Sequence, residues 1–324
     1  MPSPTPQQLA QSGSLDELYR QLEPIRMGAG WAKSTPSLWA EPKKTFQPHS
    51  WSYAKAKGAL DAAGRLINTE LAERRNLILQ NPVEGYATSR TIVAAYQMIM
   101  PGEKARSHRH TPNALRLVID AEPGAYTVVN GERLAMMPGD VVLTPNWCWH
   151  GHGNESRNCA YWLDVLDVPL VQLLDPMFFE PHPEEFETEI VVPNASPMCF
   201  PWAQTQNRLD EAGGGANGQV AEIKLGDPGT PALDTMALSM LRLKPGQATP
   251  PRKVMANSVL GVVQGAGVTE VEGTTLSWRR GDAIVVPSWR EHVHRSDDGA
   301  VLFRVTDEPV MQKLGFWREG KPAH

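Results

Sequence analysis

The sequence predicts a mostly β protein built from two copies of one small barrel, and three observations carry that prediction. Short apolar runs from Thr91 onward are separated by Pro-Gly, Glu-Pro-Gly, Asn-Gly and Pro-Gly-Asp turns, the punctuation of a sandwich or barrel. The 324-residue chain holds 28 prolines and 27 glycines, which favours many turns over long helices. A pattern seen once between Thr91 and Asp164 then returns near the C-terminus.

The elements follow in chain order. Met1–Ala10 is rich in Pro and Gln and is expected to be poorly ordered. Ser14 and Glu17 make a capping-box pattern ahead of Leu15, Leu18, Tyr19 and Leu22 at helical spacing. A second helix is expected from about Tyr53 to Leu71, with Leu60, Ala63, Ile67 and Leu71 on one face. Residues 1–88 therefore read as a helical N-terminal arm, whose Trp31, Trp39, Phe46 and Trp51 are expected to pack on a barrel or a neighbouring subunit. The first barrel, residues 89–175, has strands expected at Thr91–Met100, Ala114–Ile119, Tyr126–Val129 and Val141–Leu143. Residues 176–235, with a Phe- and Pro-rich start and a Gly-rich stretch after Glu211, read as a linker. The second barrel is residues 236–310 and the tail residues 311–324. Gly246 lies 144 residues after Gly102, and Gly281 lies 142 after Gly139, so the copies keep nearly constant register.

Composition narrows the function. A net charge of -5 with no basic run gives no reason to expect a nucleic-acid partner. No long apolar stretch or leader pattern stands out, so neither membrane insertion nor export is expected. Cys148, Cys159 and Cys199 form neither a disulfide framework nor a zinc ribbon, which fits a reducing cytoplasm.

The chemistry concentrates in the first barrel. Gly102 is followed after five residues by His108-Arg109-His110, and Gly139 after five residues by Pro145, then Trp147, His150 and Asn154. Residues two apart on a strand face one side, so His108 and His110 can both point into a barrel and His150 can complete a facial set. This pair of motifs resembles the two signatures of the cupin family, so the architecture expected is a bicupin. Ala114 and Leu115 stand where many cupins carry a glutamate ligand, so a three-histidine metal site with open positions is expected. In the second copy Arg252 and Val254 replace His108 and His110, leaving His292, and that barrel is expected to be metal-free and structural.

Around the histidines, Arg116 lies in an apolar strand and is costly to bury without an anion. It reads either as a fork for a substrate carboxylate or as half of an ion pair with Asp164 or Asp167. His152 reads as a substrate-facing group or as a surface histidine of the Gly-His-Gly turn; His294 occupies the same place in the second copy. Gln97 reads as a substrate contact or a satisfied buried amide. Asp164 and Trp147 are expected behind these groups as supports.

The strings Pro101-Gly-Glu through His108-Arg-His-Thr-Pro-Asn-Ala-Leu-Arg116, and Pro138-Gly-Asp through Thr144-Pro-Asn-Trp-Cys-Trp-His-Gly-His-Gly-Asn154, resemble the gentisate 1,2-dioxygenase family. Its members include enzymes for salicylate, 1-hydroxy-2-naphthoate and 5-substituted salicylates. The resemblance extends to Ala72–Leu79 and Leu166–Leu170. It implies an Fe(II)-dependent ring-cleaving dioxygenase with one iron per chain held by His108, His110 and His150, acting on a small aromatic acid and O2, usually as a homotetramer. It also implies substrate contacts at Arg116, His152 and Gln97, and at Arg74 or Arg75, of which Arg75 is taken here. Val93 and Ala95 stand where relatives often carry an aromatic residue and a glycine, and so bear on the ring substituent. Gentisate, opened between carbons 1 and 2 to maleylpyruvate, is the first expectation. 5-Nitrosalicylate and 1-hydroxy-2-naphthoate are alternatives, and a non-catalytic metal-binding module or a cupin isomerase or hydrolase are the readings from other classes.

Overall fold

The computed structural model describes residues 3–32, 38–68, 74–83, 85, 87–213, 220–227 and 229–321. Contacts divide the chain into two units, Met1–Lys43 and Lys44–His324. In the first, α1 (Pro6–Ala10) departs from the expected disorder: Thr5 and Gln8 close a capping box, and Pro6 is tolerated in the first turn. Helix α2 (Leu15–Leu22) begins on Ser14, which accepts the Glu17 N–H as expected. Glu17 itself reaches the N–H of Gly13 rather than that of Ser14. Trp31 and Trp39 are exposed, and Lys43 lies over the Trp39 ring at 4.0 Å.

The second unit begins with β1 (His49–Trp51), α3 (Tyr53–Leu66) and β2 (Arg75–Ile78). The first barrel follows as β3 (Val93–Ile99), β4 (Lys104–His110), β5 (Ala114–Asp120), β6 (Ala125–Val129), β7 (Glu132–Ala135), β8 (Val141–Thr144), β9 (His150–Asn154) and β10 (Ala160–Leu166). Next come α4 (Val168–Leu174), β11 (Phe179–Pro181), β12 (Cys199–Phe200), α5 (Trp202–Ala212) and β13 (Val220–Lys224). The second barrel comprises β14 (Ala237–Leu243), β15 (Gln247–Ala248), β16 (Ser258–Val271), β17 (Thr274–Arg279), β18 (Ala283–Val286), β19 (His292–Ser296) and β20 (Ala300–Thr306), with α6 (Glu308–Lys313) closing the chain. The expected helix to Leu71 stops at Leu66, and Leu71 lies outside the described residues. No described helix is long and apolar enough to cross a membrane.

In the first barrel β12-β8-β5-β10-β3-β2 form one sheet and β11-β4-β9-β6-β7 the facing one. Alternation divides each strand of the larger sheet between two cores. Ala94, Tyr96, Met98, Leu115, Leu117, Tyr161 and Leu163 pack with Val259, Val285, Val301 and Phe303 of the second barrel. Ile99, Val118, Val142 and Trp162 point the other way, into the first barrel, where they meet Val129, Leu134 and Met136. The barrels therefore join through one continuous apolar core. At its centre a Cβ on Gly261 would come within 2.6 Å of Leu117 and 3.2 Å of Leu163, so a larger residue there requires these side chains to shift.

The segments before each barrel are not the simple arm and linker that composition suggests. Strand β1 pairs with β18 of the second barrel, whereas β2, on the far side of α3, pairs with β3 of the first. In the same way β12 pairs with β8 of the first barrel, and β13, after α5, with β14 of the second. Each strand–helix–strand strap thus runs from one barrel to the other. A Gly-Asp turn anchors each strap, Gly281-Asp282 and Gly139-Asp140. Asp282 accepts the N–H of Tyr53 at the start of α3 (2.9 Å), and Asp140 that of Trp202 at the start of α5 (2.7 Å). Buried clamps also cross between the halves: Asp167 accepts from Asn113 and Thr235, and Asp307 from Asn257 and Thr91. Such links are invisible to pattern reading because the partners are far apart in the chain and each is an ordinary polar residue in a turn.

Candidate active site

His108 and His150 are direct partners across β4 and β9 and therefore share a face, and His110 lies two residues further on. Their ligand nitrogens all lie within 4.8 Å of one another, and no carboxylate joins the group among the described residues. Ring centroids are 4.2 Å apart for His108 and His150 and 4.8 Å for His110 and His150. Nδ1 of His110 lies 2.8 Å from the Pro112 carbonyl, and Nδ1 of His150 lies 3.0 Å from the Cys148 carbonyl. A carbonyl only accepts, so each Nδ1 carries the proton and leaves the Nε2 lone pair available. Burial keeps the imidazoles neutral. It pushes His108 down to about 2, with the charge of Arg74 adding to the effect, and lowers His110 and His150 for the same first reason. Three neutral imidazoles, two of them oriented by carbonyls, fit a divalent transition metal and leave coordination positions for other ligands.

Beside the triad lies a fully buried polar layer. Arg116 donates from Nη1 to Thr127 (2.6 Å) and to Nδ1 of His152 (3.0 Å), and from Nη2 to Thr144 (2.8 Å). Its Nε faces Asp164, the residue paired with it across β5 and β10, at 3.4 Å. A guanidinium has no lone pair to offer, so Nδ1 of His152 is the acceptor and its proton sits on Nε2. Burial, then the positive charge of Arg116, pushes the His152 pKa well below its ordinary value. His152 is therefore a neutral Nε2–H donor rather than an acid or base near neutral pH. Trp162 packs against its ring at 5.3 Å. Gln97 is buried on β3. It shares the barrel-facing side with Val93 and Ala95, because the alternate residues Ala94, Tyr96 and Met98 fill the core between barrels.

Comparison with known proteins agrees with this geometry. A cupin-domain family model matches residues 95–166. The 5-aminosalicylate 1,2-dioxygenase of Comamonas sp. is 36% identical, over 94% of this chain and 90% of its own. Gentisate 1,2-dioxygenase 1 of Aquipseudomonas alcaligenes is 35% identical, over 94% and 96%. The chain belongs to the gentisate 1,2-dioxygenase family. Among solved structures, the salicylate 1,2-dioxygenase of Pseudoaminobacter salicylatoxidans with gentisate covers 100% of this chain and 96% of its own, at a TM-score of 0.88 and 29% identity.

Within this member of the gentisate dioxygenase family, three expectations change. Arg75 does not face the histidines: its guanidinium is held by Glu103 (2.8 Å) and the Ile67 carbonyl. It pairs with Met98, which faces the core between barrels, so the adjacent Arg74 is directed to the other side. Arg74 reaches His108, with nitrogen–nitrogen distances of 2.5 and 2.9 Å. Trp147 is 37% exposed and supports the triad through its backbone, whose N–H donates to the His110 carbonyl (3.0 Å), while its ring meets Arg109. Asp167 belongs to a clamp and is no partner of Arg116. Thr127 and Thr144, which orient Arg116, were not singled out from sequence; the available signal was a hydroxyl at an inward position of a strand. Phe179 lies in the segment that composition reads as a linker, yet β11 pairs with β4 and the Phe179 ring stacks on His108 at 5.1 Å.

Proposed function

We propose that this dioxygenase opens the bond between carbons 1 and 2 of a 2-hydroxybenzoate carrying an electron-donating 5-substituent, with gentisate as the first substrate and maleylpyruvate as product. The observation that carries the reading is an open three-imidazole face set against an oriented cation–imidazole pair, Arg116 and His152. His108, His110 and His150 would hold Fe(II), which when bound supplies a path for electrons from the ring to dioxygen and adjacent positions for two ligands.

The protein's own groups do the rest. Arg116 supplies a buried positive charge that favours entry of a carboxylate over a neutral phenol. His152 presents its Nε2–H to a substrate oxygen and, being neutral and held by Thr127 and Arg116, keeps that donor fixed. Arg74, beside His108, adds a second cation for the anionic substrate. Gln97 offers an amide to the ring substituents, and Val93 and Ala95 form a wall of modest volume that leaves room for a 5-substituent. Apolar surface at Leu173, Leu174, Phe178, Val191 and Val192 supports a homo-oligomer, the tetramer being the expected form.

The test is oxygen uptake by anaerobically Fe(II)-loaded protein given gentisate, 5-aminosalicylate, salicylate, 5-nitrosalicylate, 1-hydroxy-2-naphthoate and benzoate. Gentisate is expected to give the highest kcat/KM with one O2 consumed per ring. The 36%-identical aminosalicylate enzyme makes 5-aminosalicylate the second reading. No uptake with any 2-hydroxybenzoate refutes the activity.

A further inference from the structure

We propose that the second barrel is itself a binding site, for a small carboxylate anion, independent of the metal centre. The four groups involved come from strands whose inward faces are fixed by register. Arg252 is directly opposite His292 in a narrow backbone pair, so the two side chains leave the same face. His294 follows two residues later on β19. Arg304 lies on β20 two residues beyond Leu302, which belongs to the interior apolar cluster of this barrel.

Two of these groups are buried donors without an acceptor. Arg304 is 8% exposed and its Nε–H has no partner; Glu222 takes only Nη2. His294 is 2% exposed and its Nε2 has no partner. The chemistry of its neighbours decides which nitrogen is protonated. Trp278 donates to Thr269 Oγ1 (2.9 Å), and Thr269 Oγ1 lies 2.8 Å from Nδ1 of His294. Nδ1 is the one acceptor in reach of the Thr269 hydroxyl among the described residues, so the threonine proton goes to Nδ1 and the ring proton to Nε2. An unmatched buried donor is destabilising by roughly 1–3 kcal/mol, so two in one barrel point to something that accepts from both.

The field favours an anion. Besides the neighbouring His292 imidazole, the groups acting on His294 are the cations Arg304 and Arg252, and none is acidic. Each arginine has one carboxylate at its edge: Glu222, 38% exposed, takes Nη2 of Arg304, and Glu308, 19% exposed, lies 3.9 Å from Arg252, too far for a hydrogen bond. Nδ1 of His292 donates to the Arg290 carbonyl (3.0 Å), leaving Nε2 as an acceptor for a ligand hydroxyl. Val254, at the position corresponding to His110, is buried and offers an apolar wall rather than a further ligand. Charge, two directed donors and an apolar flank describe a site for the carboxylate of a small organic acid.

The probe is benzoate, titrated calorimetrically into the full-length, Fe(II)-loaded protein without oxygen, beside Arg252→Met and His294→Phe. Arg252 is half-exposed, so its replacement tests the site without opening the core. The expected result is a benzoate site whose Kd weakens at least tenfold in each variant, with iron content and ring-cleaving turnover unchanged. Benzoate isotherms identical in wild type and both variants overturn the proposal and leave ordered water as the partner of the two donors. An Arg252-dependent site that takes inorganic phosphate but not benzoate overturns the carboxylate assignment. Because turnover is read separately, failure of this site leaves the reading of the first barrel intact.

Discussion

The two barrels share a scaffold and differ where strands meet at the polar end. Trp147 and Trp289 adopt the same left-handed backbone (φ 61° and 60°), as do Asn130 and Glu272 (46° and 44°). The turns, straps and clamps around them repeat as well. Inside, the pair Arg116–Asp164 becomes Leu260–Arg304, and the pair His108–His150 becomes Arg252–His292. His152 and His294 are each held at Nδ1 by a threonine, but only His152 also receives a guanidinium there. Backbone architecture is thus kept by turn and capping residues, while chemistry is set by a few inward positions that the scaffold does not need.

The largest effect expected from breaking this contrast is at the triad. Alanine at His108, His110 or His150 is expected to abolish metal content by elemental analysis and to lower turnover by at least ~10³-fold, whereas His292→Ala leaves both within twofold. Full iron and full activity in any triad variant refutes the site. Grafting in the reverse direction, Arg252→His with Val254→His, places three histidines in the second barrel and is expected to raise bound zinc from about one to about two per chain. Arg116→Met leaves Asp164 buried without its cation. A stability loss of about 3–5 kcal/mol in urea unfolding is expected, with a kcat/KM deficit far exceeding any loss of metal. Loss of iron with substrate affinity preserved contradicts its role.

Smaller effects sharpen the structural half of the comparison. Asp167→Ala and Asp307→Ala remove equivalent clamps, and each is expected to be destabilising by roughly 1–3 kcal/mol, read as matched shifts in Tm. Burial depresses His292 to about 4 from an ordinary 6.5, so the unfolded chain binds more protons between those values. Its contribution is fully present above about pH 6.5 and declines as pH falls to about 4, by ~3 kcal/mol in total. His292→Gln is expected to flatten the dependence of Tm on pH across that window; an unchanged slope refutes the assignment.

Much of the first barrel was legible because strand alternation and glycine spacing act locally. The expected runs at Ala114–Ile119, Tyr126–Val129 and Val141–Leu143 fall on β5, β6 and β8. The three histidines were legible because a two-residue period brings His108 and His110 to one side. What was misread depended on partners remote in sequence. Between Arg74 and Arg75, composition gives no basis for choice, and the pairing of β2 with β3 decides which faces the histidines. The arm and linker looked irregular because their strands are short and pair with barrels far along the chain.

The sequence by itself determined the duplicated β architecture, the turns that close it, and the residue types able to grip a metal in only the first copy. Those follow from periodicity and from the conformational demands of glycine and proline, which act between near neighbours. Only the tertiary structure decided that the straps cross between barrels, that Arg116 is tied to Thr127, Thr144 and His152, and that Arg304 and His294 share the interior of the second copy. Those depend on register between strands brought together from distant parts of the chain, where a shift of one residue turns a side chain from one face to the other.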